Sequence, residues 1–458
     1  MIIDQTYIEE LLKKNQHASK EDIQTILDKA EIKTGLNHQE IATLLNIEDE
    51  DQLQQLLEIA GKIKREIYGN RVVMFAPLYI SNYCVNNCKY CGYRRDNKFP
   101  RKRLTMDEIR SEVRLLEKMG HKRLALEAGE DPVNCDIDYV LESIKTIYDT
   151  QSDNGAIRRI NVNVAGTTVE NYRRLKAADI GTYILFQETY HPSAYLDQHP
   201  HSLKGDYDYH LEAFDRAMEA GIEDVGGGVL FGLANYKFEV LSLMIHNEHL
   251  ETEHKVGFHT ISVPRLKKAE GMTLEEYPNI VTDAEFIKLV AVIRLAVPYT
   301  GIILSTRETK EIRKTLLKYG VSQVSAGSCT DVGGYSEGEQ SQVVTQFSLE
   351  DERPTAEILN SLIEDGYIPS YCTACYRKGR TGDRFMQLAK SGAIHNVCTP
   401  NALTTLAEYL YDYASEAAKE SGLKFIESEI SKIEHKKVQE LVTRNVEKIK
   451  HGERDLYI

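Results

Sequence analysis

Three cysteines near residue 90 have the spacing of an iron–sulfur site. Cys84, Cys88 and Cys91 form a C-x3-C-x2-C run. Three thiolates this close can bind three irons of a [4Fe–4S] cube and leave the fourth iron open, so the cluster can do chemistry as well as carry electrons. Structural zinc usually takes four ligands, and no fourth Cys or His lies beside this run. The triplet therefore favours an open iron–sulfur cluster.

A second cysteine set lies near the other end of the chain. Cys372, Cys375 and Cys398 have the spacing C-x2-C-x22-C, which again offers three ligands, although structural zinc stays a rival here. Cys135 and Cys329 have no partner pattern and are expected to be small buried thiols. A disulfide framework suits small secreted chains, whereas this chain has 458 residues and no apolar signal segment.

The composition is that of a globular protein with an acidic surface. The net charge of −14 disfavours a nucleic-acid partner, and no apolar run approaches the length needed to span a membrane. Eight cysteines without a secretory signal indicate a reducing cytoplasm, and open iron–sulfur clusters call for little oxygen. We therefore expect a cytoplasmic protein of an anaerobic or low-oxygen cell.

Strand-like and helical segments alternate between residues 72 and 325, where the cysteine triplet follows the first strand. The pattern predicts α/β architecture, a (β/α)8 TIM-like barrel, with an open doubly wound sheet as the alternative. A barrel would carry its active site at the carboxyl ends of the strands. The predicted strands are 72–80, 123–127, 160–164, 182–186, 224–230, 259–263, 302–305 and 322–324.

Two mostly helical segments flank the predicted barrel. We expect an N-terminal helical extension over residues 1–70, the barrel over 71–347 and a C-terminal helical domain over 348–458 that carries the second cysteine set. Helix-capping patterns begin at Ser19, Asn37, Thr105 and Thr282. Further helices are predicted over 206–220, 355–364 and 384–391, and Pro400 is predicted to start a helix that runs towards Ser415.

An aromatic residue, Tyr90, precedes the third cysteine, so the run has the form C-x3-C-x-aromatic-C. In this the chain resembles the radical S-adenosylmethionine (SAM) enzymes, which have a full or partial (β/α) barrel with the triplet after the first strand. The resemblance implies that the amine and carboxylate of SAM chelate the open iron. One electron from the cluster would then cleave SAM to methionine and a 5′-deoxyadenosyl radical.

Two further segments are similar to SAM-binding segments of that family. Ala128, Gly129 and Glu130 resemble its Gly-Gly-Glu segment, with Ala128 in place of the first glycine, and the resemblance implies that they bind the SAM amino group. Asn161 and Asn163 end a later strand, where the family contacts the ribose. The run 226–228 is Gly-Gly-Gly, which permits either close approach of a ligand or a flexible turn.

Segments 186–191, 259–265 and 304–308 resemble the tyrosine lyases within that family. Arg307 at a strand end suits a bidentate grip on the carboxylate of an amino acid, although a salt bridge on the barrel rim would look the same. The resemblance implies L-tyrosine as the substrate. Candidate catalytic residues are Arg307, Gln187 and Glu188, and candidate substrate-binding residues are Arg307, Ser305, Thr306 and Tyr190.

The second cysteine set resembles the auxiliary-cluster motif of the tyrosine lyases that mature [FeFe]-hydrogenase. The resemblance implies cleavage of the tyrosine Cα–Cβ bond to p-cresol and dehydroglycine, and decomposition of dehydroglycine to CO and cyanide at an auxiliary [4Fe–4S] cluster. There a labile fifth iron would become an Fe(CO)2(CN) unit. His259 is the candidate protein ligand of that iron, since imidazole suits iron, and His395 is a weaker alternative.

The implied partners follow from this chemistry. They are a low-potential electron donor and downstream hydrogenase maturation proteins, and the sequence leaves open whether free cysteine completes the labile-iron site. The nearest alternative is a lyase that supplies dehydroglycine for thiazole (thiamine) synthesis, a group that lacks the second cysteine set. A non-catalytic iron–sulfur carrier is a rival of another class, but it would not need the lyase-like segments.

Overall fold

Eight parallel strands close into a barrel at the centre of the computed structural model, which describes residues 2–337 and 345–458. Their order around the barrel follows the chain, and the last strand pairs with the first. The predicted barrel is thus confirmed, and the open sheet is wrong. The strands are β1 (Arg71–Ser81), β2 (Arg123–Ala128), β3 (Gln151–Ser152), β4 (Gly155–Ala156), β5 (Arg159–Asn163), β6 (Tyr183–Glu188), β7 (Val225–Val229), β8 (Thr260–Ser262), β9 (Gly301–Leu304), β10 (Gln323–Ser325) and β11 (Ile368–Ser370). β3 and β4 form a separate antiparallel hairpin, and β11 pairs with the start of β1.

Helices surround the barrel and form both ends of the chain. They are α1 (Gln5–Lys14), α2 (Lys20–Ala30), α3 (His38–Leu45), α4 (Glu50–Tyr68), α5 (Met106–Lys118), α6 (Ile137–Asp149), α7 (Val169–Ala177), α8 (Pro192–Gln198), α9 (Tyr207–Leu211), α10 (Ala213–Glu219), α11 (Tyr236–His254), α12 (Asp283–Ala296), α13 (Lys310–Tyr319), α14 (Gly334–Glu337), α15 (Thr355–Glu364), α16 (Ala374–Arg377), α17 (Gly382–Lys390), α18 (His395–Asp412), α19 (Glu416–Ser431) and α20 (Lys436–Lys450). Within the described ranges, no helix combines the length and the apolar character that a bilayer crossing requires.

The helix starts follow the predicted caps. Ser19, Asn37, Thr105 and Thr282 each accept a hydrogen bond from the backbone N–H three residues on, and each forms a full capping box. The N-terminal helices pack on the outer helices of the barrel, where α4 contacts α12 and α13. β1 is a nearly continuous buried apolar run, as expected for a parallel strand that is covered on both faces.

The structure differs from the predicted elements in three places, two of them in the C-terminal region. β11 was not predicted, because it is a three-residue strand that contains a proline. α18 begins at His395, so Pro400 lies inside this helix and does not start it. The predicted helix 206–220 is two short helices, α9 and α10, with Glu212 between them. The domain boundaries at 70/71 and 347/348 stay a prediction.

The three glycines of β7 leave room for neighbouring side chains. A Cβ atom on Gly227 would lie 2.8 Å from the ring of Phe258, and one on Gly228 would lie 2.5 Å from the ring of Phe186. Aromatic side chains therefore fill the space beside these two glycines, which the sequence alone had assigned to a ligand or a turn. Gly227 leaves room for the Phe258 ring, and Gly228 leaves room for Phe186 on the neighbouring strand.

We expect Gly228→Ala to lower the free energy of unfolding by about 1–3 kcal/mol, because the added methyl group overpacks the barrel against Phe186. Denaturation midpoints of the two proteins measure the loss. The double variant Gly228→Ala/Phe186→Leu should recover part of it, since leucine vacates the ring positions that the methyl group meets. An unchanged midpoint for the single variant would contradict this packing.

Candidate active site and second cysteine site

The cysteine triplet lies in the loop after β1, at the carboxyl end of the barrel. Cys84, Cys88 and Cys91 line one cavity of about 220 Å³. The segment after β2 holds this loop, because the Val85 backbone N–H donates to the Glu130 carbonyl at 2.8 Å. The sequence pattern alone predicted that these thiols share a site, and the fold brings them to one cavity.

Glycine is required beside the triplet. A Cβ atom on Gly129 would lie 2.3 Å from the Tyr83 carbonyl oxygen and 3.1 Å from the Cys84 Cβ. The backbone of the predicted SAM-binding segment therefore touches the cysteine loop directly. Asn86 strengthens this contact, since its Nδ2 donates to the Glu130 carboxylate at 2.5 Å.

The three buried thiols of the triplet suit a metal cluster, because the positive charge of the metal would stabilise their thiolate forms. Burial raises the pKa of Cys84, Cys88 and Cys91, the last to about 11, which favours neutral thiols unless a metal binds them. Thiolates become the favoured form here only when metal charge offsets the burial. All eight cysteines are free, and three thiols beside an open cavity match an iron–sulfur cube with one iron exposed.

A site for a single metal ion, unlike a cluster site, requires its ligands to converge on one point. Among residues 2–337 and 345–458, no three His, Cys, Asp or Glu side chains converge on one point as ligands of a single ion would. In a cube each thiolate binds its own iron, and the thiolates stand farther apart.

Tyr90 contributes its ring to the cavity while its hydroxyl is engaged elsewhere. The hydroxyl lies 2.8 Å from His199 Nε2, and His199 Nδ1 lies 2.7 Å from the Tyr195 carbonyl oxygen. Burial lowers the pKa of His199 to about 3, so the imidazole is neutral. Since a carbonyl only accepts, Nδ1 carries the proton and Nε2 accepts from Tyr90. This network fixes the aromatic ring next to the cysteines.

The predicted SAM-binding residues divide into two groups. Ala128, Gly129, Glu130 and Asn163 line the cavity. Asn161 does not line it, because its side-chain oxygen accepts from the Thr182 backbone N–H at 3.0 Å. It lies two residues before Asn163 on the same face of β5, deeper in the barrel. Its side chain joins β5 to the residue that precedes β6.

Glu127 is a cavity residue that the sequence did not single out. Asn163 Nδ2 donates to its carboxyl group at 2.6 Å. Burial raises the pKa of Glu127 to about 8, although Asn163 and Arg307 act in the opposite direction. At neutral pH the group is therefore mostly a protonated acid that can donate a hydrogen bond into the cavity.

Arg307, Ser305 and Thr306 follow β9 and line the same cavity. The Arg307 guanidinium lies over the Phe347 ring, 3.2 Å from its centroid. Burial lowers the pKa of Arg307, and the nearby Tyr79 and Glu188 partly offset this. No ion pair joins Arg307 to a carboxylate within the described part of the chain. Its donors can therefore serve an anionic group in the cavity.

At the end of β6 and just beyond it, some side chains face the cavity and others point away from it. Glu188 lines the cavity and forms an ion pair with Lys204 at 2.6 Å. Burial opposes the charge of Lys204, but Glu188 outweighs it and raises the Lys204 pKa. Gln187 and Tyr190 do not line the cavity: side chains alternate along the strand, and the buried Tyr190 hydroxyl lies 2.8 Å from His246 Nδ1 on α11.

The second cysteine set lies at the opposite end of the barrel. Cys372, Cys375 and Cys398 line a smaller cavity of about 70 Å³ at the amino ends of the strands. A hydrogen bond with Cys375 lowers the pKa of Cys398, and the guanidinium of Arg71 adds to this effect. Three thiols with one stabilised anion are a donor set that fits a second cluster.

His259 lies at the second cavity, just before β8. Its ring packs against Phe385, with 4.7 Å between centroids. Its Nδ1 lies 3.4 Å from an Asp224 carboxylate oxygen, but the geometry is not that of a hydrogen bond, and Nδ1 has no hydrogen-bond partner in the described chain. His395 is not at this cavity, because its Nε2 contacts the Glu66 carbonyl oxygen at 2.6 Å.

Several residues at the two sites carry no recognisable sequence signal. The missed residues at the first cavity are Glu127, Lys204 and His210, and those at the second are Arg71, Arg123 and Arg380. Cys135 and Cys329 belong to neither thiol set; burial raises their pKa values to about 12 and about 11.

Two family models match the barrel. Residues 78–241 match the radical SAM superfamily, and residues 262–368 match the biotin and thiamin synthesis associated domain. A curated relative is 2-iminoacetate synthase from Salmonella typhimurium, which is 30% identical over 335 residues that span 73% of this chain and 86% of the relative.

Two solved structures are similar over nearly the whole chain. The crystal structure of HydG, described as a maturase of the [FeFe]-hydrogenase, is 57% identical, with a TM-score of 0.98 and full coverage of both chains. The structure of the FeFe-hydrogenase maturase HydG from Carboxydothermus hydrogenoformans is 39% identical, with a TM-score of 0.83 and 97% coverage of each chain. The similarity therefore extends over both flanking regions as well as the barrel.

Proposed function

Because this chain belongs to the radical SAM superfamily and within it to the HydG-like maturases, we propose that it is a tyrosine lyase with a second, diatomic-forming site. It cleaves the Cα–Cβ bond of L-tyrosine to p-cresol and dehydroglycine, and then converts dehydroglycine to CO and cyanide. These ligands go to a labile iron, which leaves as an Fe(CO)2(CN) unit for maturation of the [FeFe]-hydrogenase active site.

The observation that carries the proposal is the pair of three-thiol sites at opposite ends of one barrel. Both cavities use the inner face of β1: Arg71 and Val73 line the lower cavity, and Phe75, Pro77 and Tyr79 line the upper one. The eight residue-to-residue steps of strand from Arg71 to Tyr79 correspond to roughly 26 Å. We propose that a fragment made above passes to the lower site through the barrel interior, away from solvent.

In the upper cavity this chain binds and orients SAM and tyrosine. When bound to the triplet, the cluster supplies the electron that cleaves SAM to methionine and a 5′-deoxyadenosyl radical. Glu130 and the backbone at Gly129 are positioned against the cysteine loop and suit the amino group of SAM. The closed barrel excludes water from the reacting groups.

Arg307 suits the carboxylate of tyrosine, since its guanidinium has no carboxylate partner in the described chain and faces the cavity. Ser305 and Thr306 add hydroxyl donors beside it. Glu127, held largely protonated, can donate to a substrate oxygen. These groups fix the amino-acid end of the substrate, so that hydrogen abstraction occurs at one atom.

An anaerobic turnover with SAM, dithionite and uniformly ¹³C-labelled tyrosine tests the proposal. The iron-reconstituted protein should form p-cresol together with labelled CO and cyanide, and Cys88→Ser should form none of them. Formation of p-cresol with glyoxylate but without CO or cyanide would favour a lyase that supplies dehydroglycine for thiazole synthesis, the activity class of the 2-iminoacetate synthase relative. SAM cleavage without any tyrosine product would contradict tyrosine as the substrate.

We expect His259→Ala to lose the labile iron while p-cresol formation persists. The unpartnered Nδ1 at the lower cavity is free to bind a metal ion, and imidazole is a good iron ligand. The iron content per chain should fall by about one atom relative to the unchanged protein. His395→Ala is the matched control, because that ring is bound to the Glu66 carbonyl. An unchanged iron content in His259→Ala would contradict the assignment.

A further inference from the structure

We propose that the basic surface beside the first cysteine triplet is the docking face for a small acidic ferredoxin that reduces the cluster there. The inference rests on the proposed function, since a redox cluster at the triplet is what requires a donor. We define this surface, the basic rim, by Arg94, Arg95, Lys98 and Lys268.

The basic rim contrasts with the rest of the chain. Segment 94–103 contains six basic residues and one acidic residue, within a protein whose net charge is −14. Arg95, Lys98 and Lys268 are exposed, and Arg94 is partly exposed. A local positive surface on an acidic protein attracts an acidic partner to that place and repels it elsewhere.

The rim is attached directly to the triplet. The Arg94 backbone N–H donates to the Cys91 carbonyl at 3.1 Å, which closes a turn immediately after the third cysteine. Asn97 folds back onto the same place, because its Nδ2 donates to the Gly92 carbonyl at 2.8 Å. Three residues of chain span at most about 10 Å, so a protein bound at Arg94 is close to the cluster.

Two chain segments build the rim as one surface. Asn97 Nδ2 also lies 2.8 Å from the Glu270 carbonyl oxygen, and the Arg94 guanidinium donates to the Gly271 carbonyl at 3.2 Å. These contacts place the segment that carries Lys268, two residues before Glu270, beside the loop that carries Lys98. Asp96 and Glu270 are the acidic side chains on these two segments; Asp96 accepts from Asn87 at 2.7 Å and lies 3.5 Å from the Arg95 guanidinium.

The two lysines have charges that are available to a partner. Across residues 2–337 and 345–458, neither the Lys98 nor the Lys268 ammonium forms an ion pair or a side-chain hydrogen bond. Lys89, by contrast, is paired with Asp197 at 2.6 Å. Unpaired exposed ammonium groups contribute little to the stability of the fold, and their charge is available for association with another protein.

The redox step in this encounter is a single electron transfer. The reduced ferredoxin gives up one electron and the cluster at the triplet accepts it, with no bond made or broken and no proton moved. Such complexes bury little surface and dissociate quickly, and their encounter is steered by charge.

The test compares two charge-reversed variants of the reconstituted protein. Lys98→Glu/Lys268→Glu removes the free charges of the rim, and Lys436→Glu/Lys437→Glu makes the same change in net charge on exposed residues of α20. The dissociation constant for an acidic [2Fe–2S] ferredoxin is measured by calorimetry at low and high salt. We expect about tenfold weaker binding and a shallower salt dependence for the rim variant alone.

Dithionite-driven cleavage of SAM separates docking from catalysis. The rim variant should retain this activity, because dithionite needs no docking face. An unchanged dissociation constant in the rim variant, or an equal loss in the α20 variant, would overturn the inference alone. Absence of dithionite-driven cleavage in the unchanged protein would overturn the proposed function, and the inference with it.

Discussion

Replacing Arg307 with methionine is expected to lower kcat/KM for tyrosine by roughly 30-fold to several-thousand-fold. Loss of one partner from a buried, hydrogen-bonded charge pair costs about 2–5 kcal/mol, which corresponds to that range. Arg307 lines the upper cavity and has no carboxylate partner in the described chain, so the substrate carboxylate would supply the missing charge. Rates of p-cresol formation over a range of tyrosine concentrations measure the effect.

The variant should still cleave SAM in the absence of tyrosine, since Arg307 is assigned to the amino acid and not to SAM. Arg307→Lys should keep part of the activity, because it retains the charge and loses the bidentate geometry. Arg110→Met, at a partly exposed arginine on α5, is the matched control for the same change of side chain. If Arg307→Met left kcat/KM unchanged, the guanidinium would be a structural group of the barrel rim.

The barrel could be predicted because its strands are encoded locally. Each barrel strand is a short apolar run with polar residues at its end, and all eight predicted segments overlap an observed strand. β11 lacks this signature: it has three residues, contains Pro369 and is stabilised by pairing with β1. Its existence depends on a neighbour that is distant in sequence, which no local pattern reveals.

The two cysteine sets also show the difference between what the local sequence encodes and what only the folded chain provides. Their spacing identifies the candidate ligands, but the positions of the two sets at opposite ends of one barrel follow from the return of the chain through β11. The charged residues around them, such as Lys204 and Arg71, come from unrelated parts of the chain. A lone lysine or arginine in sequence is usually a solvated side chain, so only the folded structure identifies these groups.

Within the lyase-like segments, strand alternation decides which of the predicted site residues face the cavity. Glu188 faces the cavity, while Gln187 is buried with an unpartnered Nε2 outside it. Tyr190, beyond the strand end, joins the barrel to α11 through His246. A resemblance over a segment does not say which of its side chains face inward. The period of two along the strand supplies that information once its register is known.

The variant Cys372→Ser/Cys375→Ser should abolish formation of CO and cyanide while p-cresol formation continues. Serine is a poor ligand for iron in this role, because its hydroxyl stays protonated and lacks the soft sulfur donor. The upper cavity shares none of its lining residues with the lower one, so tyrosine cleavage should be unaffected. Product analysis by mass spectrometry and iron analysis of the reconstituted variant measure the two effects together.

Cys135→Ser provides the matched control, because this thiol belongs to neither set. It should keep all three products and the full iron content. Metal analysis of the unchanged protein also distinguishes an iron–sulfur cluster from structural zinc at the second cysteine set. A zinc site would add zinc and no further iron. If the double variant lost p-cresol in parallel with CO, the lower site would serve the structure of the barrel. If it kept CO and cyanide, dehydroglycine would decompose without the second thiol set, and the division of the reaction between two ends of the barrel would be wrong.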